Sequence, residues 1–258
     1  MCPPDYYEVA YEINPWMSTR RRVDQPKASK QWHDYYDLLT RKLGVKVELV
    51  KPVKGLPDLV FTANGGLVWK RLFIRANFRH QERKGEENHF EAWFRRKGYK
   101  VKKLKRPFCF EGEGDALFVG EDLYTGYHFR SDLEAHDEIG GMTRLSYFAL
   151  ELADKRFYHL DTCFAPLNEK TALVYLKAFE PYSQMVLWES ISDLIEVSRE
   201  EALRFACNAF VAGKKAVIPE GCPQVTKALE SRGFEVFALD FSEYIKAGGA
   251  AKCLVLNL

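Results

Sequence analysis

The chain has 258 residues, 47% hydrophobic and 29% charged, a globular composition that excludes disordered, collagen-like and fibrous classes. Lys and Arg total 38 against 36 Asp and Glu, and a net charge of +2 gives no electrostatic reason to expect nucleic acid. The basic runs 20–22 and 100–106 read as solvated faces.

Met1 is not followed by a basic n-region and an apolar h-region, and no apolar run approaches the ~18 residues that span a bilayer, so no membrane association and a cytoplasmic location are expected. Six cysteines (2, 109, 163, 207, 222 and 253) are scattered without C-x-x-C pairs, which argues against a zinc finger or a disulfide framework. A chain of this length buries a full core, and one catalytic domain over 1–258 is expected; the sequence leaves open whether it forms a homo-oligomer.

In chain order, the pattern predicts a helix over 31–43, an apolar strand from Pro57 to Asn64 ending in Gly65 and Gly66, and strands over 66–69 and 72–76. A helix over 86–97 and a strand over 116–119 follow, then strands over 156–164 and 172–176. Ser198 and Glu201 form a capping box for a helix over 199–207; strands over 209–212 and 216–219, helices over 223–231 and 241–247, and a strand over 252–258 complete the chain. Around Gly44, Gly98 and Gly233 one pattern repeats: an amphipathic helix, a basic residue, the Gly, then an alternating strand. Mixed elements at this spacing suggest repeated supersecondary units arranged around a centre.

Four segments carry chemistry. On a strand, His159, Asp161 and Cys163 share one face, which fits either a catalytic group or a satisfied core histidine beside a carboxylate. A metal site fits them less well, because same-face neighbours lie ~7 Å apart and do not converge on one ion. Glu111, Glu113 and Asp115 lie among glycines, and such clustered carboxylates repel unless they meet a cation; an acidic turn is the alternative. The strand ending at Asn64 is by itself only a strand and a turn. Small residues at 247–251 let the backbone approach a ligand ahead of Cys253, whose thiol a neighbouring Lys and an imidazolium would activate; a core cysteine entering a strand is the alternative.

In this order, PDLVFTAN, FEGEGD, HLD and GGAAKC resemble the motifs of the guanidino-group modifying enzymes, the pentein superfamily of arginine deiminase, dimethylarginine dimethylaminohydrolase and the amidinotransferases. That resemblance implies an α/β fold, a five-bladed α/β propeller built from ββαβ-like units. INPWM, FTANGGL, FRHQERKGEE, FYHLDTCFAPL, FACNAF and KAGGAAKCLVL extend it over nearly the whole chain and bring it nearest to the catalytic domain of arginine dihydrolases, which convert arginine to ornithine, ammonia and carbon dioxide. The alternative within the superfamily is a hydrolase that stops at citrulline. Larger members carry an ornithine-cyclising module after this domain; the chain ends five residues after Cys253, so that module and a nicotinamide cofactor are not expected.

The resemblance also implies roles. Cys253 is the nucleophile and His159 its acid/base partner, while Asp161 and Glu111 ion-pair with the substrate guanidinium, supported by Asp115. Arg130, with Arg83 or Arg79, clamps the substrate carboxylate, and Asn14 and Asn64 supply neutral contacts. No metal and no cofactor are implied; the partner is arginine. Asn64 stands where deiminases carry an Asp, and its amide suits neutral citrulline as well as arginine. Glu113 is a smaller departure, expected either to alter the acidic shell or to face solvent.

Overall fold

The computed structural model describes residues 1–258. Helix α1 (Gln25–Asp37) begins earlier than its apolar pattern, because the Asp24 side chain caps it, accepting from the Lys27 amide at 3.0 Å, and a proline sits in its first turn. It buries Ala28, Trp32 and Tyr35, then widens into a π turn over Leu38–Lys42 that buries Leu39.

Four copies of one unit follow. The first holds β1 (Gly66–Trp69), β2 (Leu72–Arg75), α2 (Glu86–Arg96) and β3 (Lys100–Lys102). The second holds β4 (Ala116–Val119), β5 (Asp122–Tyr127), α3 (Leu133–Thr143) and β6 (Tyr147–Glu151). The third holds β7 (Phe164–Pro166), β8 (Thr171–Val174), α4 (Pro181–Ser190) and β9 (Asp193–Glu196). After α5 (Arg199–Ala202), the fourth holds β10 (Phe210–Ala212), β11 (Lys215–Pro219), α6 (Pro223–Glu230) and β12 (Glu235–Leu239), and α7 (Ser242–Ile245) leads to the carboxyl end.

In each unit the first two strands form an antiparallel hairpin, and the helix carries the chain back so that the third strand pairs parallel with the second. These are the ββαβ-like units expected. Gly98 and Gly233 stop the chain after α2 and α6 with φ of 77° each, the left-handed conformation that the repeated Gly pattern demands.

The two ends of the chain build the fifth sector. The Val50 amide donates to the Met1 carbonyl at 2.9 Å, and Met1, Trp32, Tyr35 and Leu39 share a core cluster with Leu254 and Val255.

Five turns close a ring at the centre. Ala63 N donates to Cys253 O at 3.1 Å, Lys252 N to Asn208 O at 3.2 Å, Asn208 Nδ2 to Asp161 O at 2.9 Å, and Leu160 N to Asp115 Oδ1 at 3.0 Å. Gly112 closes the circuit: a Cβ there would lie 2.6 Å from Ala63 O, and its φ of 62° independently favours glycine.

The ring explains three corrections. The segments expected as strands at 57–64, 156–164 and 252–258 are instead short 3₁₀ helices and turns: Pro57–Val60, Thr62–Gly65 and Leu160–Thr162, with irregular chain around Cys253. At the hub, backbone groups find side-chain and cross-turn partners, so no sheet ladder forms there. The expected helices at 199–207 and 241–247 shrink to α5 and α7; after α5 the chain turns through Phe205 at φ 65°. No helix is long and apolar enough to cross a membrane.

Candidate active site

Cys253 sits on the fifth hub turn, buried. Its Sγ donates to Asp161 Oδ2 at 3.1 Å, and Asn208 Nδ2 donates to that same sulfur at 3.1 Å. The other end of the Asn208 amide accepts from Ala250 N at 3.0 Å and Cys253 N at 3.2 Å, so one buried side chain fixes both the turn that carries Cys253 and its sulfur. Burial, then the adjacent Asp161 carboxylate, pushes the Cys253 thiol well above its usual range. This reverses the expectation of an activated thiol: Lys252 turns away from the sulfur to Glu113, and the His159 Nε2 pairs with Glu111 Oε2 at 2.8 Å. The glycines before Cys253 serve packing, since a Cβ on Gly249 would lie 2.6 Å from the Phe61 ring.

Asp161 is completely buried; burial raises its carboxyl to about 6 against the opposing pull of Lys252. Cys163 does not share its surroundings, because the 3₁₀ turn sends the Cys163 sulfur back to Leu160 O at 3.5 Å, within the largest core cluster. The shared face of His159, Asp161 and Cys163 is thereby lost.

Glu111, expected to ion-pair with the substrate guanidinium, is held by groups of the protein itself. It accepts from Arg130 Nη1 at 3.0 Å, His159 Nε2 at 2.8 Å and the Arg79 amide at 3.1 Å. Burial opposes its ionisation, but Arg130 and His159 outweigh it and hold the carboxyl well below the usual range. Asp115 lies behind this couple as a strut, accepting from Ser131 Oγ at 2.7 Å and Leu160 N at 3.0 Å.

The three candidate arginines separate clearly. Arg79 is half-exposed and bonded to Asp132, outside the cavity. Arg83 lines the cavity but is locked by Glu86, with both contacts at 2.8 Å, and by Asn64 Oδ1 at 2.8 Å. Arg130 lies over the Tyr158 ring at 4.5 Å and donates to Ile13 O at 2.9 Å.

Asn14 shapes the roof: its Nδ2 donates to Ala247 O at 3.0 Å and its Oδ1 accepts from Trp16 N at 2.9 Å. Under that roof lies a cavity of about 10 Å³ lined by Asn14, Asp58, Asn64, Arg130 and Cys253, among others. Cavities of about 250 and 770 Å³ lie elsewhere, without these groups.

Buried polar atoms without a partner are costly, which makes their location informative. Of eight buried side-chain atoms without a hydrogen-bond partner, four (Asp58 Oδ1, Asn64 Nδ2, His159 Nδ1 and Asp161 Oδ1) belong to residues of this site, with a fifth, the Tyr11 hydroxyl, beside Asp58. Acceptors on two carboxylates and a donor on an amide match a planar, multiply donating cation that also carries or exchanges for an oxygen. Two of the site's residues escape sequence reasoning. Asp58 carried a signal, a carboxylate inside an apolar run, whereas Asn208 in FACNAF carried none beyond the resemblance.

A buried cysteine beside a carboxylate, with an imidazole–carboxylate couple across an unsatisfied cavity, sits at the hub of a five-bladed α/β propeller. The chain belongs to the eukaryotic N,N-dimethylarginine dimethylhydrolase family, whose sequence profile matches residues 11–258. It is 43% identical to the bifunctional arginine dihydrolase/ornithine cyclodeaminase ArgZ of Synechocystis, over 100% of this chain and 37% of ArgZ. It is 40% identical to N(G),N(G)-dimethylarginine dimethylaminohydrolase of Mycobacterium tuberculosis, over 100% of this chain and 84% of that protein. The N-terminal domain of ArgZ, solved as an asparagine-to-serine variant covalently bonded to a reaction intermediate, superposes with a TM-score of 0.95 at 42% identity, covering 99% of this chain and 95% of that one. The chain thus spans little more than a third of the length of its bifunctional relatives.

Proposed function

We propose that residues 1–258 form one cytoplasmic catalytic domain that hydrolyses arginine to ornithine, two ammonia and carbon dioxide, as an arginine dihydrolase. The convergence of four unpartnered buried polar atoms beside Cys253 carries this reading. The six free cysteines agree with a reducing compartment.

Arginine enters when the 13–17 roof lifts, since about 10 Å³ holds no more than a water. Arg130 exchanges Ile13 O for the substrate carboxylate, and the guanidinium takes Asp161 Oδ1 and Asp58 Oδ1. Its positive charge offsets Asp161 and favours the Cys253 thiolate, whose proton passes to His159, so the nucleophile is switched on by the substrate and the imidazole is charged for the next step.

The thiolate then attacks the guanidinium carbon. A C–S bond forms, a C–N bond breaks, and His159 delivers the proton with which ammonia leaves; Glu111 holds the imidazole by Nε2, leaving Nδ1 toward the reaction. Water activated by His159 adds to the same carbon, and C–S cleavage returns the thiolate and gives citrulline. Asn64 Nδ2 donates to the new ureido oxygen and retains the neutral product. A second attack expels the second ammonia and leaves a thiocarbamate, which water resolves to a carbamate that loses carbon dioxide. Arginine and two waters are thereby balanced against ornithine, two ammonia and carbon dioxide.

Rapid acid quenching after mixing with arginine, followed by intact-protein and peptide mass spectrometry, tests the covalent step. An adduct on Cys253 is expected, absent in Cys253→Ala. Turnover by Cys253→Ala at near the normal rate would remove this sulfur from the chemistry; a loss of several orders of magnitude is expected.

A further inference from the structure

Consecutive residues of the fifth hub turn face opposite ways. Cys253 lines the small reactive cavity, while Lys252 and Glu113 line a separate cavity of about 770 Å³. There Lys252 Nζ bonds Glu113 Oε2 at 2.7 Å and Val255 O at 3.1 Å, and the Asn257 amide closes on the same Glu113 oxygen at 3.1 Å. Both side chains are buried, so Glu113 neither faces solvent nor joins the acidic shell around the reacting carbon.

A buried ion pair is no stability device by itself, because desolvating both charges offsets much of their attraction. Its position gives it another use. Lys252 is the residue next to Cys253, whose sulfur meets Asp161 at 3.1 Å, and its ammonium pulls the Asp161 carboxyl toward ionisation against the effect of burial. The other groups acting on Asp161 are Cys253 at 3.1 Å, the neutral Asn208, and Glu113, whose charge opposes that of Lys252; Tyr158 and Cys163 lie near enough to feel Asp161 in turn. Lys252 is therefore the fixed positive charge of this neighbourhood, and Glu113 is the group that fixes it.

We propose that Lys252 and Glu113 are positioning residues for the nucleophile: the Lys252 ammonium, anchored by Glu113 behind the hub, keeps Asp161 ready to receive a cation beside Cys253. The role of Asp161 toward substrate rests on the proposed guanidinium hydrolysis, but its charge is measurable without substrate.

The experiment follows the side-chain carboxyl ¹³C resonance of Asp161 through a pH titration of the full chain, assigned with Asp161→Asn. Lys252→Met should move the midpoint upward by about one pH unit, a tenfold change in the ionised fraction. Lys252→Arg should restore it. Lys252→Met combined with Glu113→Gln, which leaves no buried charge unpaired if the single variant fails to fold, should also move it upward. In parallel the acid limb of kcat/KM should shift in the same direction in the variants that turn over arginine. Loss of thermal stability with an unmoved Asp161 midpoint would overturn the proposal and leave the pair a structural staple. Absence of arginine turnover in the wild-type protein, with the midpoint still shifted by Lys252→Met, would instead sink the dihydrolase reading and leave the pair's role standing.

Discussion

The Cys253 sulfur donates to a carboxylate oxygen of Asp161 across 3.1 Å, with both residues buried. Thiolate and carboxylate repel in such a place, so burial and Asp161 together keep the Cys253 thiol protonated. Asp161→Asn removes that repulsion. Iodoacetamide alkylation of Cys253 at neutral pH, followed by peptide mass spectrometry, should become on the order of tenfold faster than in the wild-type protein. An unchanged or slower rate would mean that burial alone protects the thiol.

The Asp161 carboxyl, raised by burial to about 6, sets an acid limit on activity. The proposed reaction needs the ionised form to hold the guanidinium, and that form is lost as pH falls through that value. kcat/KM for arginine should decline below about pH 6. A profile that stays flat down to the ordinary carboxylate range would show that Asp161 does not titrate in the free enzyme.

Asn208 joins three hub turns through one amide. Asn208→Ala strips the acceptor from Ala250 N and Cys253 N and the donor from the Cys253 sulfur. Each buried group left unsatisfied costs about 1–3 kcal/mol, so thermal denaturation should report a marked destabilisation alongside a lower kcat. Normal melting with normal kcat would show that the turn holds its shape without this side chain.

In the proposed reaction Asn64 decides between one hydrolysis and two. Its Oδ1 is taken by Arg83 at 2.8 Å, which points the Nδ2 donor, unpartnered, into the site. Asn64→Asp replaces that donor with an acceptor that faces the ureido oxygen unfavourably, so chromatography of the products should show a shift from ornithine toward citrulline with the first step retained. If the variant still yields only ornithine, retention of citrulline does not depend on this amide.

Most of the repeating architecture was legible because hairpins and helix-ending glycines are local signals: Gly98 and Gly233 mark where α2 and α6 hand over to β3 and β12. The hub was not. Apolar runs such as 57–64 and 156–164 read as strands, yet their burial comes from five turns converging on a centre, a tertiary fact absent from any short window. Helix α3 was hidden by Gly140 and Gly141, and α4 by Tyr182, Met185 and Trp188, apolar residues on its exposed face. Within the site, resemblance brought together His159, Asp161, Asn64 and Cys253. The engagement of Glu111 by Arg130, the separation of Arg79 from the cavity and the part of Asn208 depended on three-dimensional placement.

In the proposed reaction one cysteine site hydrolyses arginine twice before releasing its product. The most direct test is to incubate the purified protein with arginine and quantify ornithine, citrulline and ammonia together over time. Ornithine should accumulate with ammonia in a ratio of one to two, and citrulline should stay at trace levels throughout. Citrulline accumulating with ammonia in equal amounts, and no ornithine, would contradict the account and make the protein a hydrolase that stops after one step.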